Sequence, residues 1–217
     1  MTPNGDGTGA ILFSAGMNNT GFSQFAVTAG PGPSVLVNAF LEGPYNNAGA
    51  MNDGLRSGGF LPNSEPYSSV FGHLGGGGGE SVSASVFNTT GSHAIIDWVY
   101  LELRDVVSPY SVLYTRSALL QANGAIVDVD GTSAVSFDQA PGGNYYVAVR
   151  HRNHLGVMTG GAVSLNVGSA TTIDFTVSGT SVYGSSPLKP MGGMKLAMYA
   201  GDANHDGSVN AVDVNTH

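Results

Sequence analysis

The chain contains no cysteine, so neither a disulfide framework nor a thiol nucleophile can be built from it. Charge is scarce as well. Asp, Glu, Lys and Arg make up 10% of the residues, against about a quarter in ordinary globular domains, so the surface must be drawn largely from Ser, Thr, Asn and Gly. Lys and Arg number 7 against 15 acids, for a formal net charge of -8, which disfavours nucleic acid as a partner because that binding depends on neutralising phosphates. No run approaches the roughly 18 apolar residues of a membrane helix, and no membrane insertion is expected. Residues 1–7 lack the basic and apolar regions of a signal peptide, and the chain is expected to be a piece of a longer polypeptide whose export signal lies outside it. Signatures of catalysis are also missing. There is no Gly-x-Ser-x-Gly elbow, and the glycine run 75–79 lacks the Lys and following helix of a phosphate loop. An enzyme is not expected.

Glycine is abundant, at 33 residues, and costs about 1 kcal/mol per interior helical position relative to alanine. With Lys and Glu rare, long helices are disfavoured and an all-β fold is expected. The apolar pattern has period 2. Val35, Val37, Ala39 and Leu41 share one face of a first strand. Between residues 95 and 105, Val99, Leu101 and Leu103 point one way and Trp98, Tyr100, Glu102 and Arg104 the other, predicting one core face and one amphipathic face. Residues 111–137 read as a meander turning at Asn123-Gly124 and Asp130-Gly131, both strong two-residue hairpin signals. Tyr145, Val147 and Val149 share a face of the strand after Pro141-Gly142-Gly143, and further strands fall near 162–167, 171–177 and 194–200. About eight to ten short strands predict an antiparallel β-sandwich.

Three segments follow from this pattern. Residues 1–33 form an N-terminal strand or arm, residues 34–200 the β-sandwich, and residues 201–217 a terminal loop. Within the sandwich, residues 44–92 form a long glycine-rich insertion, too long for a structureless loop in a compact domain and therefore expected to be a functional or partner-covered surface.

The terminal loop is the most specific motif. Counting Asp202 as position 1 places Asn204 at 3, Asp206 at 5, Gly207 at 6, Ser208 at 7, Asn210 at 9 and Asp213 at 12, the spacing of an EF-hand-type loop. Calcium takes six to eight oxygen ligands, so a tight turn must aim several carboxylates and amides inward while one backbone carbonyl, here that of Ser208, joins them. Calcium is the expected cofactor. Asp213 stands where the usual bidentate Glu would be and reaches one methylene less far. The bland reading is an acidic, turn-rich tail.

Outside the loop, Arg150-His151-Arg152-Asn153-His154 is the densest polar cluster. A turn after Arg152 could bring His151 and His154 together as a metal pair. Alternatively, Arg150 and Arg152 pair with Asp97, Glu102 or Asp105 across the sheet while the histidines make loop hydrogen bonds. Trp98, Tyr100, Tyr145 and Tyr146 could form a sugar-stacking platform, although aromatics in alternating strands are more often core. Asn18-Asn19-Thr20 and Asn88-Thr89-Thr90 match the glycosylation tripeptide, a frequent chance match in such a chain.

Three resemblances accompany these residues. Gly142-Gly143-Asn144-Tyr145-Tyr146-Val147 after a Val-Ser-Phe strand resembles the closing strands of transthyretin-like modules within the wider immunoglobulin-like architecture, and Asp202 to Asp213 resembles one Asp-terminated dockerin repeat, whose second half is absent. The set Leu41 to Tyr45, Asp97-Trp98-Val99, Glu102 to Asp105, Asn144 to Val147, Arg150 to Leu155 and Ala200 to Asn204 resembles a module near the ends of large secreted, haemagglutinin-like or adhesin-like surface proteins of Bacteroidota. That resemblance implies export by the type IX route and a place at the cell surface. The expectation is a non-catalytic structural or adhesive unit, stiffened by calcium, that self-associates, as in a filament, or binds other surface proteins. The alternative is a glycan-binding or dockerin-type docking module of a secreted enzyme.

Overall fold

A computed structural model describes residues 30–213; the expected N-terminal arm lies outside the described residues except for its last four positions, as do residues 214–217. The described chain is mostly antiparallel β-sheet with little helix. The strands are β1 (Ser34–Asn38), β2 (Ile95–Arg104), β3 (Val112–Gln121), β4 (Ala125–Val127), β5 (Val135–Ser136), β6 (Gly143–His151), β7 (His154–Met158), β8 (Val163–Leu165), β9 (Ala170–Asp174), β10 (Lys189–Met191) and β11 (Lys195–Ala197).

One continuous sheet of nine strands carries the core. Its hydrogen-bonded path runs from β1 through β4, β3 and β2 to β6, with β5 extending the β4 edge of β1, and β7 and β8 lying end to end along the far side of β6. β9 joins the free side of β1 in parallel register, Val35 opposite Thr171 and Val37 opposite Ile173. The Thr171 hydroxyl reaches the Ser164 carbonyl of β8 at 3.2 Å, so the sheet curls until its two ends meet. The inside is filled by the alternating residues of each strand: Val35, Val37, Ala39 and Leu41 from the first, Val99, Leu101 and Leu103 from β2, and Tyr145, Val147 and Val149 from β6.

Turn chemistry differs in one respect from the sequence expectation. Gly124 and Gly131 have φ of +90° and +80°, but Asn123 and Asp130 are not left-handed. Each Gly N–H instead closes a turn on the carbonyl three residues back, Gln121 and Asp128, at 2.9 Å. The side chains of Asn123 and Asp130 accept from backbone N–H groups two residues on, the Asx pattern that favours these residues in turns. The expected meander is broken after β4: β5 pairs with β1 and not with β4.

The larger departure concerns β2. Its second face is not amphipathic and open, because residues 58–88 of the insertion fold over it. Tyr67, Val82, Ile95, Trp98, Tyr100, Leu119 and Val127 form a second core, with Leu61, Phe71, Val86 and Phe87 at its margin. The Tyr67 hydroxyl donates to the Trp98 carbonyl at 2.7 Å, the Trp98 indole to the Pro62 carbonyl at 2.9 Å and the Tyr100 hydroxyl to the Gly72 carbonyl at 2.5 Å. The glycine run packs edge-on against β3. A Cβ on Gly77 would lie 2.1 Å from the Thr115 carbonyl oxygen, and one on Gly75 2.2 Å from the Tyr114 ring, so glycine is required for the close approach.

The insertion is thus part of the folding unit. Tyr67→Phe is expected to cost about 0.5–1.5 kcal/mol through its lost hydrogen bond, and Tyr67→Ala about 3–5 kcal/mol, both within one cooperative urea transition. A Tyr67→Ala effect within about 0.5 kcal/mol would show that the insertion does not stabilise the core.

Candidate functional site

The terminal segment 195–200 runs beside the first strand, with the Met198 N–H on the Phe40 carbonyl at 2.8 Å. Glu42 pairs with Lys189 and accepts from the Ala200 N–H at 2.9 Å. The Gly201 N–H then donates to the Asn153 carbonyl at 3.0 Å, and the 202–213 loop begins without a linker.

Within the loop, Asn204, Asp206 and Asn210 each accept from the N–H two residues on, at 2.9–3.0 Å. Gly207 supplies the left-handed turn at φ +83°. Asp213 closes the ring: one carboxylate oxygen accepts from Ala203 and Asn204 N–H at 3.0 and 3.3 Å, the other from Asn210 N–H at 2.8 Å. These bonds, that from Asn210 foremost, hold its carboxyl below the usual carboxylate range. Ser208 is exposed, its N–H on Asp206.

Asp202 is in the opposite condition. It is 3% exposed, and its Oδ1 is buried without a hydrogen bond. Burial raises the pKa of its carboxyl, and the charges of Asp213 and Asp206 add to the shift. A buried carboxylate oxygen without a donor is costly, and a hard cation would satisfy it. The all-oxygen donor set of this loop fits calcium. Of the six predicted ligands, Asn204, Asp206, Ser208, Asn210 and Asp213 are joined by hydrogen bonds within the loop and Asp202 lies at its root, but the carboxylates of Asp202, Asp206 and Asp213 do not converge into one metal-sized group in this structure.

The loop is flanked by two depressions. The first, a cavity of about 680 Å³, is lined by Asp97, His151, Arg152 and His154 on one side and by Ala203 and Asp213 on the other. Asp97 sits at a register shift in β2, between Ile95 and Trp98, and such bulges re-aim side chains at sheet margins. Arg152 grips it through two bonds of 2.6 Å, and His151 Nε2 lies 3.2 Å from it. Burial opposes ionisation of Asp97, but His151 and Arg152 outweigh it, and its pKa is lowered. Arg150 pairs with Glu102 at 3.5 Å, as does Arg104 at 2.5 Å.

The tight turn at residues 152–153 does bring the histidines together, but onto each other: their Nδ1 atoms are 3.0 Å apart. Asn153 N–H donates to His151 Nδ1 at 3.4 Å, which makes that nitrogen the acceptor and His151 Nε2–H the donor to Asp97. His154 Nδ1–H then serves His151 and the Asn153 side chain, leaving His154 Nε2 as a bare, buried acceptor. Burial, reinforced by His151, lowers the His154 pKa to about 3. With both Nδ1 atoms engaged in one bond, the pair is a hydrogen-bonded relay from Asp97 to the cavity and not a two-imidazole metal clamp.

The second depression, of about 460 Å³, is lined by Glu102, Arg104 and Arg150, by Tyr110 and Tyr183, and by loop residues including Asp206. Tyr146 packs tilted against Tyr110 with centroids 4.8 Å apart, and Tyr110 meets Tyr183 edge-on at 5.6 Å. This aromatic group is where the structure leaves ring faces available. Trp98 and Tyr100 do not contribute: they are 0% and 2% exposed, covered by the insertion, and cannot stack on a ligand. Tyr110 and Tyr183 carried no sequence signal, since both sit in irregular segments that only the fold brings beside Tyr146. Arg150 lies over the Phe71 ring at 3.8 Å, and His205 of the loop meets the same ring at 5.1 Å, which ties the loop to the insertion.

Comparison with protein-family models, with curated proteins and with solved structures finds no match to this chain.

The neutral, buried His154 makes stability acid-sensitive. The unfolded chain takes up a proton near the ordinary histidine pKa of about 6.5, whereas the folded one resists it down to about 3. More protons are then bound in the unfolded state, and stability falls as pH drops through this window. Urea unfolding across pH 6 to 4 is expected to show a slope approaching about 1.4 kcal/mol per pH unit from this residue, and His154→Gln to flatten it. An unchanged slope in the variant would remove the assignment.

Proposed function

We propose that this chain is a non-catalytic, extracellular module of a cell-surface assembly, structural or adhesive in role, whose 202–213 loop binds calcium and thereby stiffens its C-terminal junction. The single observation that carries this reading is the buried, unpartnered Asp202 oxygen in a loop of calcium-ligand spacing. Two features support a joint rather than a free docking handle: the loop follows the terminal strand directly, and its root is bonded to Asn153 and Glu42. The curled all-β body has the strand content of a transthyretin-like or immunoglobulin-like sandwich, an architecture suited to rigid surface modules. A low-charge Ser, Thr, Asn and Gly surface and the resemblance to secreted adhesin-like modules point the same way. Its partners in this reading are further copies of itself or other surface proteins.

A second reading, glycan binding, is favoured by one observation: Tyr110, backed by Tyr146, and Tyr183 border a depression that also holds Glu102, Arg104 and Arg150. Aromatic faces beside fixed polar groups are the usual means of holding a sugar ring.

Thermal unfolding with calcium and with chelator separates these ideas. Calcium at 100 times its dissociation constant is expected to add about 2.7 kcal/mol of stability, an increment absent in Asp202→Ala. A chain whose melting and sedimentation are indifferent to calcium refutes the joint. A saturable glycan signal that is lost in Tyr146→Ala and independent of calcium supports the second reading over the first.

A further inference from the structure

The insertion holds a second, chemically different cluster. Glu65, His73 and Glu80 each direct a ligand atom into one small space, all within 4.8 Å of one another. The side chains are 3%, 6% and 2% exposed. Glu65 is held from outside by the N–H groups of Tyr67 and Ser68 at 2.6 and 3.0 Å and by Gly79 N–H at 3.3 Å. Glu80 is held by Gly78 N–H at 3.0 and 3.1 Å and by Ser117 N–H at 3.3 Å. The glycine run therefore acts as a lid whose amides fix both carboxylates.

The decisive atom is His73 Nε2. The Thr115 hydroxyl accepts from Leu74 N–H at 2.9 Å and donates to the Leu74 carbonyl at 3.1 Å. What it offers His73 Nδ1 at 3.1 Å is therefore its remaining lone pair, so Nδ1 carries the proton. On a neutral ring the opposite nitrogen then presents a bare lone pair to the carboxylates. It is buried, lies 3.4 Å from Glu65 Oε2 and makes no hydrogen bond. A lone pair facing two carboxylates is repulsive unless something positive lies between them. A metal-binding histidine is oriented in this way, its other ring N–H tied to an oxygen.

Charge counting agrees. Arg116 is shared between Glu80 at 3.6 Å and Asp128 at 2.9 Å. With Glu65, three carboxylates face one guanidinium and two negative charges remain, matching one divalent ion. Tetrahedral bonds of about 2.1 Å set ligand atoms about 3.4 Å apart, the separation already present between His73 and Glu65. One imidazole with two carboxylates suits a borderline cation, in contrast to the all-oxygen loop at 202–213.

We infer that Glu65, His73 and Glu80 form a binding site for one divalent transition metal of the zinc class, which clamps the glycine lid onto β3. The site is independent of the calcium reading and uses none of its residues.

Cobalt titration of the untagged, chelator-stripped full chain tests it. A visible ligand-field band saturating at one ion per chain is expected, displaced by zinc but not by excess calcium. The affinity should fall more than about 100-fold in His73→Gln and Glu80→Gln, beyond the loss typical of supporting residues. Asp202→Ala should leave it unchanged, which separates this site from the loop. X-ray absorption of the zinc-loaded wild type should show a mixed nitrogen and oxygen shell near 2.0–2.1 Å, about the bond lengths of such ligands. Because a variant could fail to fold, the wild type is decisive by itself. No stoichiometric cobalt band, or an all-oxygen zinc shell, overturns the site, as does a band that persists in folded His73→Gln.

Discussion

β2 carries Val99, Leu101 and Leu103 on one face and Trp98 and Tyr100 on the other, and leaving either set in water would forgo about 1.5–3 kcal/mol for each large side chain. A strand with two apolar faces needs two covers. The curled sheet supplies the first through β1, β6 and β9. The second can come only from chain outside the sheet, and the insertion provides it by laying Tyr67 and Phe71 against Tyr100 at 5.6 and 5.2 Å between centroids. The position of the glycine lid, the burial of the Glu65–His73–Glu80 group and the shelf on which His205 rests all follow from that one requirement.

Covering the second face also encloses acids, since Glu102 and the bulged Asp97 belong to the same strand and Glu80 arrives with the cover. Buried carboxylates persist only when paired or hydrogen-bonded. Arg104 and Arg150 serve Glu102, Arg152 and His151 serve Asp97, and Arg116 divides between Glu80 and Asp128. Four of the seven basic side chains thus sit in pairs along the sheet, and Arg56 with Asp53 and Lys189 with Glu42 bring the paired number to six. That distribution explains how a chain so poor in cations uses them: they neutralise the interior rather than decorate the surface.

What the sequence discloses is what local pattern can encode. The inward faces of the first strand, β2 and β6 follow from period 2, and the loop at 202–213 follows from its ligand spacing, because both are written within about a dozen consecutive residues. The fate of Trp98 and Tyr100 is not written there. A strand covered on both faces and a strand with one aromatic outer face have the same alternation, and only the path of residues 58–88 distinguishes them. The parallel β1–β9 pair is likewise a long-range closure with no local mark. Glu65, His73 and Glu80 lie in a segment that reads as glycine-rich loop, and their convergence depends on Thr115 and Ser117 of β3, some forty to fifty residues away.

The two metal-like groups differ in how they are held, and the difference bears on what an ion could do at each. Around His73 the donors are fixed by β3 and by the glycine amides, so binding there would add rigidity to a wall that is already packed. At the terminal loop the restraint is one-sided. Asp213 and the backbone hold the ring, while Asp202 waits at its root with an unsatisfied oxygen. The loop's residues also line both depressions, Ala203 and Asp213 facing the Asp97–His151–His154 relay and Asp206 facing the tyrosines. A cation settling on Asp202 would cancel negative charge on both sides at once, and at the low dielectric of such clefts that change is felt over several ångströms. In the proposed reading the joint and the clefts form one electrostatic unit, and a ligand in either depression and an ion in the loop would influence each other's affinity reciprocally.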